Sequence, residues 1–250
     1  MTFLRRSVTV TAVCALSAAG LVACSGGGGS SSSDAFKGMS ADKIADKGVA
    51  ATKSATALRV RGRMSGQGKV TDLDFAVDGS GVCTGRLTSK DARADIVQTG
   101  KVIYLKGNGP YWKGAAKAQP GADADKTAKA LQGHWVKVPA QNSSVQNICN
   151  KQAFMAGMDQ DKSERKNMSR QGDATVDGQE AAVLKNKTGS GETNTLYVAT
   201  HGKPYILKAV QSGGDAPSTV RFSDYNKKVK ATAPPAGEVV DPKKLTANAS

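Results

Sequence analysis

A chain of 250 residues with 35 Lys and Arg against 21 Asp and Glu carries a formal charge of +14, while aromatic residues make up only 5%. That length leaves room for one sizeable core or two small ones. Two histidines leave few ways to build a catalytic triad or a His/Cys metal site.

The chain opens with Arg5 and Arg6, continues through an uncharged, mostly small or apolar run, and reaches Leu21-Val22-Ala23-Cys24. Four glycines and then four serines follow Ser25. Positive n-region, short apolar h-region and small residues before a cut are the layout of a secretory signal. The apolar run, at about 16 residues, falls short of the roughly 20 that a spanning helix needs. The residues before Cys24 resemble a bacterial lipobox, whose cysteine thiol takes a diacylglycerol and becomes the mature N-terminus. An uncleaved anchor, or an ordinary signal with a chance cysteine, are the alternatives. Arg5-Arg6 before Ser7-Val8 leaves Sec and twin-arginine export both open.

The address so implied is the extracytoplasmic face of the cell membrane, held through diacylglyceryl-Cys24. An exported chain meets no nucleic acid, so anionic headgroups or wall polymer are the nearer partners for its positive charge. Each juxtamembrane cation adds on the order of 1 kcal/mol to attraction for an anionic surface. The bland reading is that the charge merely solvates the surface.

Cys14 leaves with the leader and Cys24 carries lipid, which leaves Cys83 and Cys149. In an oxidising compartment that pair reads as a disulfide, with two buried free thiols as the alternative. Closing a loop of about 66 residues stabilises a fold by roughly 4 kcal/mol in the loop-entropy account.

The expected organisation is a leader over residues 1–23 and a lipidated Cys24 with a Gly/Ser tether over 24–39. One domain then covers 40–240, and a polar tail covers 241–250. Ser40 is a candidate N-cap, and the spacing of Ile44 and Val49 predicts an amphipathic helix from Ala41 to roughly Thr56. The period then changes to two. Leu58 and Val60, and Leu73, Phe75 and Val77 against Asp72, Asp74 and Asp78, predict strands. Further strands are expected over 82–88, 92–98 and 101–106, giving a meander. Gly107-Asn108-Gly109-Pro110 reads as a turn, residues 122–131 as a helix, and 134–139 as a short strand. An apolar island over 148–158 predicts one or two short helices. Strands resume at 174–176, 179–186, 193–200, 204–211 and 219–225, and Pro234-Pro235 ends the sheet. The fold class is α+β, with one long, curved antiparallel β-sheet.

This order of elements resembles the LolA/LppX-like lipoproteins. The similar features are the leading helix, the strand Lys101-Val102-Ile103-Tyr104-Leu105-Lys106 and the segment Trp135-Val136-Lys137-Val138-Pro139. Val176-Asp177-Gly178, Gly202-Lys203-Pro204-Tyr205-Ile206 and Phe222-Ser223-Asp224-Tyr225-Asn226 extend the likeness. The resemblance implies a half-barrel whose concave face is covered by the N-terminal helix and a central helical insertion. It also implies an apolar cavity for acyl chains, and a role in carrying lipids or lipoproteins or in sensing the envelope.

Catalytic patterns are weak. His134 and His201 sit in no nucleophile motif, Asp123 and Asp125 fit a helix first turn, and Gly107–Pro110 lacks the Lys-Ser/Thr of a phosphate loop. No catalytic residue, metal or cofactor is expected. Binding has the better physical case, because one face of such a sheet must be covered. Candidates for that face are Leu73, Phe75, Val77, Leu87, Ile96, Tyr104, Leu196, Val198 and Val210. If the helix bearing Ile44 and Val49 packs flush, they are plain core. If it stands off, they line a pocket for a lipid or glycolipid, each buried CH₂ gaining about 0.8 kcal/mol. A monomeric lipid carrier, an envelope interaction module and an adhesive module for wall polymer are the three readings.

Overall fold

The structure is a computed structural model and describes residues 35–66, 68–139, 146–160 and 165–241. The leader, Cys24, the tether and the tail beyond residue 241 lie outside the described residues. No described helix is long and apolar enough to cross a membrane. Asp34–Ser250 forms one compact unit, and it holds every buried core residue and the disulfide.

Helix α1 (Ala41–Ser54) starts where the Ser40 hydroxyl accepts the Lys43 N–H at 3.4 Å. Asp42 in its first turn and Lys53 in its last both suit the helix dipole. Its buried residues, Ile44, Ala45, Gly48, Val49 and Thr52, recur at helical spacing and form one face.

The first meander is β1 (Ala57–Gly66), β2 (Lys69–Asp78), β3 (Val82–Ser89), β4 (Ala92–Thr99) and β5 (Val102–Gly107). Helices α2 (Gly109–Lys117) and α3 (Ala124–Leu131) follow, then β6 (Trp135–Pro139), α4 (Gln146–Cys149) and α5 (Lys151–Gln160). The second meander is β7 (Ser169–Val176), β8 (Gln179–Lys187), β9 (Thr193–Ala199), β10 (Ile206–Ser212) and β11 (Ser218–Ser223). With β12 (Val239–Val240) these strands form one curved sheet of order β12-β6-β5-β4-β3-β2-β1-β11-β10-β9-β8-β7.

Two expectations are corrected. Gly107-Asn108-Gly109-Pro110 is no simple turn: the Asn108 side chain accepts the Tyr111 N–H at 3.1 Å and caps α2, with proline in the first turn. Nor does Pro234-Pro235 end the sheet, since β12 (Val239–Val240) pairs parallel with β6 at Trp135 and Val136. The seam between the meanders is the antiparallel pairing of β1 with β11, from Arg59↔Ser223 to Met64↔Ser218.

Register fixes the two faces. Leu58, Val60 and Gly62 oppose Val77, Phe75 and Leu73 on the inner face. Gly85 opposes Phe75 there, and a Cβ on Gly85 would stand 2.5 Å from the Phe75 Cβ. A Cβ on Gly62 would clash with the Thr219 carbonyl oxygen. The inner face thus lacks side chains where the strands crowd closest. Gly62→Ala is expected to cost roughly 1–3 kcal/mol as β11 is pushed aside. Gly66→Ala, with nothing within 4 Å of its Cβ, should cost little. Paired thermal melts check this, and equal melting temperatures would refute it.

The outer face is a ladder of ion pairs. Arg59 donates two hydrogen bonds of 2.8 Å to Asp74, Arg63 holds Asp72 at 2.7 Å, and Arg86 holds Asp95 at 2.6 Å. Burial works to raise the Asp74 carboxyl, but the hydrogen bonds and charge of Arg59, with Arg61 beside it, outweigh burial and hold it below the usual carboxylate range. The hydrogen bond from Arg63 lowers Asp72 likewise. Both folded values are depressed, so their contribution is present above the ordinary carboxylate value near 4. It is lost as pH falls through the lower folded values. Asp74→Asn should therefore flatten the fall of melting temperature in acid. A parallel profile in the variant would show that Asp74 contributes nothing to it.

Candidate functional site

All the helices that touch the sheet's inner face lie on the side where Leu58, Phe75, Val77, Ile96, Val198 and Phe222 are buried. Helix α1 sits against β9 and β10, so closely that a Cβ on Gly48 would meet Val198 at 3.0 Å and Ile206 at 3.3 Å. At that contact β10 carries a bulge between Ile206 and Lys208. The Ile206 N–H is taken by the Thr52 hydroxyl at 3.0 Å, and the Tyr225 hydroxyl donates to the Ile206 carbonyl. Burial pushes the Tyr225 phenol well above its usual range, so this hydroxyl stays a donor. Tyr205 stacks on Tyr225 at 3.9 Å.

The helical insertion is fastened at one end. Cys149, closing α4, is bonded to Cys83 of β3 with Cα atoms 5.4 Å apart, and the Asn150 side chain accepts the Ala153 N–H at 3.0 Å to start α5. One turn on, the Phe154 ring enters the concave face. It meets Phe75 edge-on at 5.4 Å and Phe222 at 6.5 Å. Met155 beside it is 2% exposed. At this end of the sheet the cover is flush.

At the other end it is not. Between α1, the segment 165–168 and strands β9 to β11 lies a cleft of about 180 Å³, bordered by Val49, Met168, Leu196, Ala209, Arg165 and Gln211. Leu196, Ala209 and Val220 are only partly buried here. The segment is held to α1 by two acids one turn apart. Asp42 accepts the Met168 N–H at 2.8 Å, and Asp46 lies 3.4 Å from Arg165 Nε. Arg165, 8% exposed, places a guanidinium beside an apolar wall. Larger hollows exist among the described residues: 540 Å³ among Arg59, Asp74, Arg86 and Trp135 on the outer face, 830 Å³ beside Asp42 and Lys53, 520 Å³ beside Lys53 and Asp78, and 320 Å³ beside Asp78 and Lys151. All four are lined by charged groups and suit no acyl chain.

Seven of the nine residues expected on the inner face are there. Phe75, Val77, Ile96 and Val198 are buried core, and Leu73, Leu87 and Leu196 pack against it. By register Tyr104 and Val210 fall on the outer face, although Val210 still borders the cleft. Tyr104 opposes Val97 and Lys137, while Ile103 and Leu105 point inward and are buried. Val210 opposes Thr195 and Thr219, because the bulge after Ile206 reverses the alternation that would have turned it inward. The residues sequence reading missed are Ala209, Val220, Phe154, Thr52 and Arg165. For Arg165 a signal was present in Asp42 and Asp46, four apart on one helix. His201 Nε2 lies 2.8 Å from Glu180 Oε2 on the exposed rim, with no hydroxyl or thiol bonded to it among the described contacts.

The fold has counterparts among solved structures. The crystal structure of LprF from Mycobacterium bovis superposes with a TM-score of 0.54 at 16% identity, covering 78% of this chain and 96% of that one. The Mycobacterium tuberculosis lipoprotein LppX gives 0.48 at 16% identity, covering 76% and 97%. A LolA superfamily protein from Nitrosomonas europaea gives 0.27 at 9% identity, covering 80% and 96%. No protein-family model matches the chain, and no curated protein is significantly similar to it in sequence. At 16% identity the likeness to LprF is one of fold: a curved antiparallel sheet with helices on one face.

Proposed function

We propose that this protein is an extracytoplasmic lipoprotein, anchored through Cys24, that holds acyl chains of a lipid or glycolipid against the inner face of its sheet. The observation that carries the reading is the cleft beside Leu196 and Ala209, where apolar sheet residues stay partly uncovered next to Val49 and Met168. A filled core leaves no such gap. The cleft is small against the 300–1,000 Å³ common for ligand sites, so an acyl chain enters there and makes room by moving α1 or α5. The shared fold with LprF agrees with this reading.

The test is mass spectrometry of organic extracts from the full-length protein purified from native membranes. The parent is expected to carry near-stoichiometric lipid, and Leu196→Trp with Ala209→Trp is expected to carry little while melting normally. Parent protein free of lipid would overturn the reading. It would favour an envelope interaction module, for which the flush packing around Phe154 is the supporting observation.

A further inference from the structure

One row of residues crosses the outer face from strand to strand. Lys106 opposes Asp95, Asp95 opposes Arg86, and Arg86 opposes Asp74. Asp74 opposes Arg61, Arg61 opposes Arg221, and Arg221 opposes Lys208, beyond which stands Tyr197. Over β5 to β1 the signs alternate, as cross-strand pairing favours. Over β1, β11 and β10 they do not: Arg61, Arg221 and Lys208 stand side by side on strands about 4.8 Å apart.

Directly opposed like charges destabilise a sheet, and the nearby acids Asp74, Asp177 and Asp224 offset them only in part. Asp74 holds Arg61 at 3.2 Å but gives its shorter hydrogen bonds to Arg59. Asp177 reaches Arg221 at 3.5 Å. Lys208 lies 5.0 Å over the Tyr197 ring. The Arg61 and Arg221 side chains are 57% and 51% exposed.

Position in the sheet matters as much as charge. In the strand order, β1, β11 and β10 lie in the middle of the twelve, so the three cations sit at the crown of the arch. The hollow on this face is bordered by Asp72, Asp74 and Asp95 as well as by arginines, which disfavours a small anion there. The crown meets a flat surface first, and the half-buried Tyr197 at its shoulder suits an interfacial depth. Asp34 lies ten residues past Cys24, a span of at most roughly 35 Å, so the proposed anchor holds the domain near its own leaflet.

We propose that the crown formed by Arg61, Arg221, Lys208 and Tyr197 docks on the anionic phospholipid surface of the anchoring membrane, turning the helix-covered face away from it. This rests on the lipoprotein reading above. It does not rest on lipid in the cleft, which is measured separately by extraction.

The compact unit Asp34–Ser250 lacks the anchor and is the protein to test, by co-sedimentation with phosphatidylcholine vesicles with and without phosphatidylglycerol. Binding is expected only with phosphatidylglycerol and should vanish at high salt. Arg61→Gln/Lys208→Gln/Arg221→Gln should weaken it roughly a hundredfold, about fivefold per cation. Lys117→Gln/Lys126→Gln/Lys129→Gln removes the same charge from α2 and α3 and should lose less than fivefold. Melting of the crown variant should match or exceed the parent, since it relieves repulsion; if it fails to fold, the three single variants each carry the fivefold expectation. Equal losses in both triple variants would overturn the proposal as mere net charge. Equal binding to phosphatidylcholine would overturn it, as would equally tight binding to a soluble poly(glycerol phosphate), which would mark a wall-polymer site instead.

Discussion

Replacing Cys83 and Cys149 by alanine should lower the melting temperature by roughly 10 °C. The bond spans 66 residues, for which loop-closure entropy gives about 4 kcal/mol. For a chain of this size each kcal/mol shifts the midpoint by about 2–4 °C. The loss should be local before it is global. Cys149 is the insertion's covalent hold on β3, and from there the chain runs directly into α5 and Phe154. Hydrogen exchange should therefore quicken first in α4, α5 and the inner residues of β2 and β3. Reduction of the native protein with a mild thiol should reproduce the same pattern. An unchanged midpoint in the double variant would show that α4 is held by packing alone.

Phe154→Ala should trade stability for binding. The ring fills the space between Phe75 and Phe222, and its removal leaves a void costing about 2–3 kcal/mol for a partly buried phenylalanine. If the concave face is a lipid site, that void joins the acyl path and the variant binds more of a fluorescent fatty acid than the parent. Phe222→Ala should behave alike. A variant that melts earlier and binds no more would identify the ring as ordinary core. Melting and binding are thus expected to move in opposite directions, which simple damage to a fold does not produce.

Much of this was legible in the chain. The alternation of Leu58 with Val60, and of Leu73, Phe75 and Val77, placed β1 and β2 and their inner face. Ser40 placed the start of α1, and two cysteines left over in a chain whose opening reads as an export signal placed the disulfide. The failures have definite causes. In Val102-Ile103-Tyr104-Leu105 both parities are apolar, so a period of two carries no phase, and only the pairing of Ile96 with Leu105 decides which residues turn inward. At β10 the bulge inserts a residue, and everything after Ile206 changes face. Asn108 and Pro110 are turn residues and helix-start residues alike, and the tertiary contact of Trp112 with the side-chain-free Gly107 selects the helix. The cleft was not legible at all. It depends on where α1 comes to rest, and that is set by Gly48 against Val198 and by Thr52 on the bulge.

The seam between β1 and β11 also fixes when the protein can finish folding. Hairpins such as β2 with β3 close over short loops, but Arg59 must wait for Ser223, and contacts so distant in sequence come late. If the chain crosses a membrane N-terminus first, as the proposed lipoprotein reading requires, it emerges with its central strand still unpaired on one side. It stays an open ribbon until nearly the last strand is out, a state that a translocation channel can pass. On the proposed lipoprotein reading, completion falls on the far side of the membrane, where Cys83 and Cys149 can also find an oxidant.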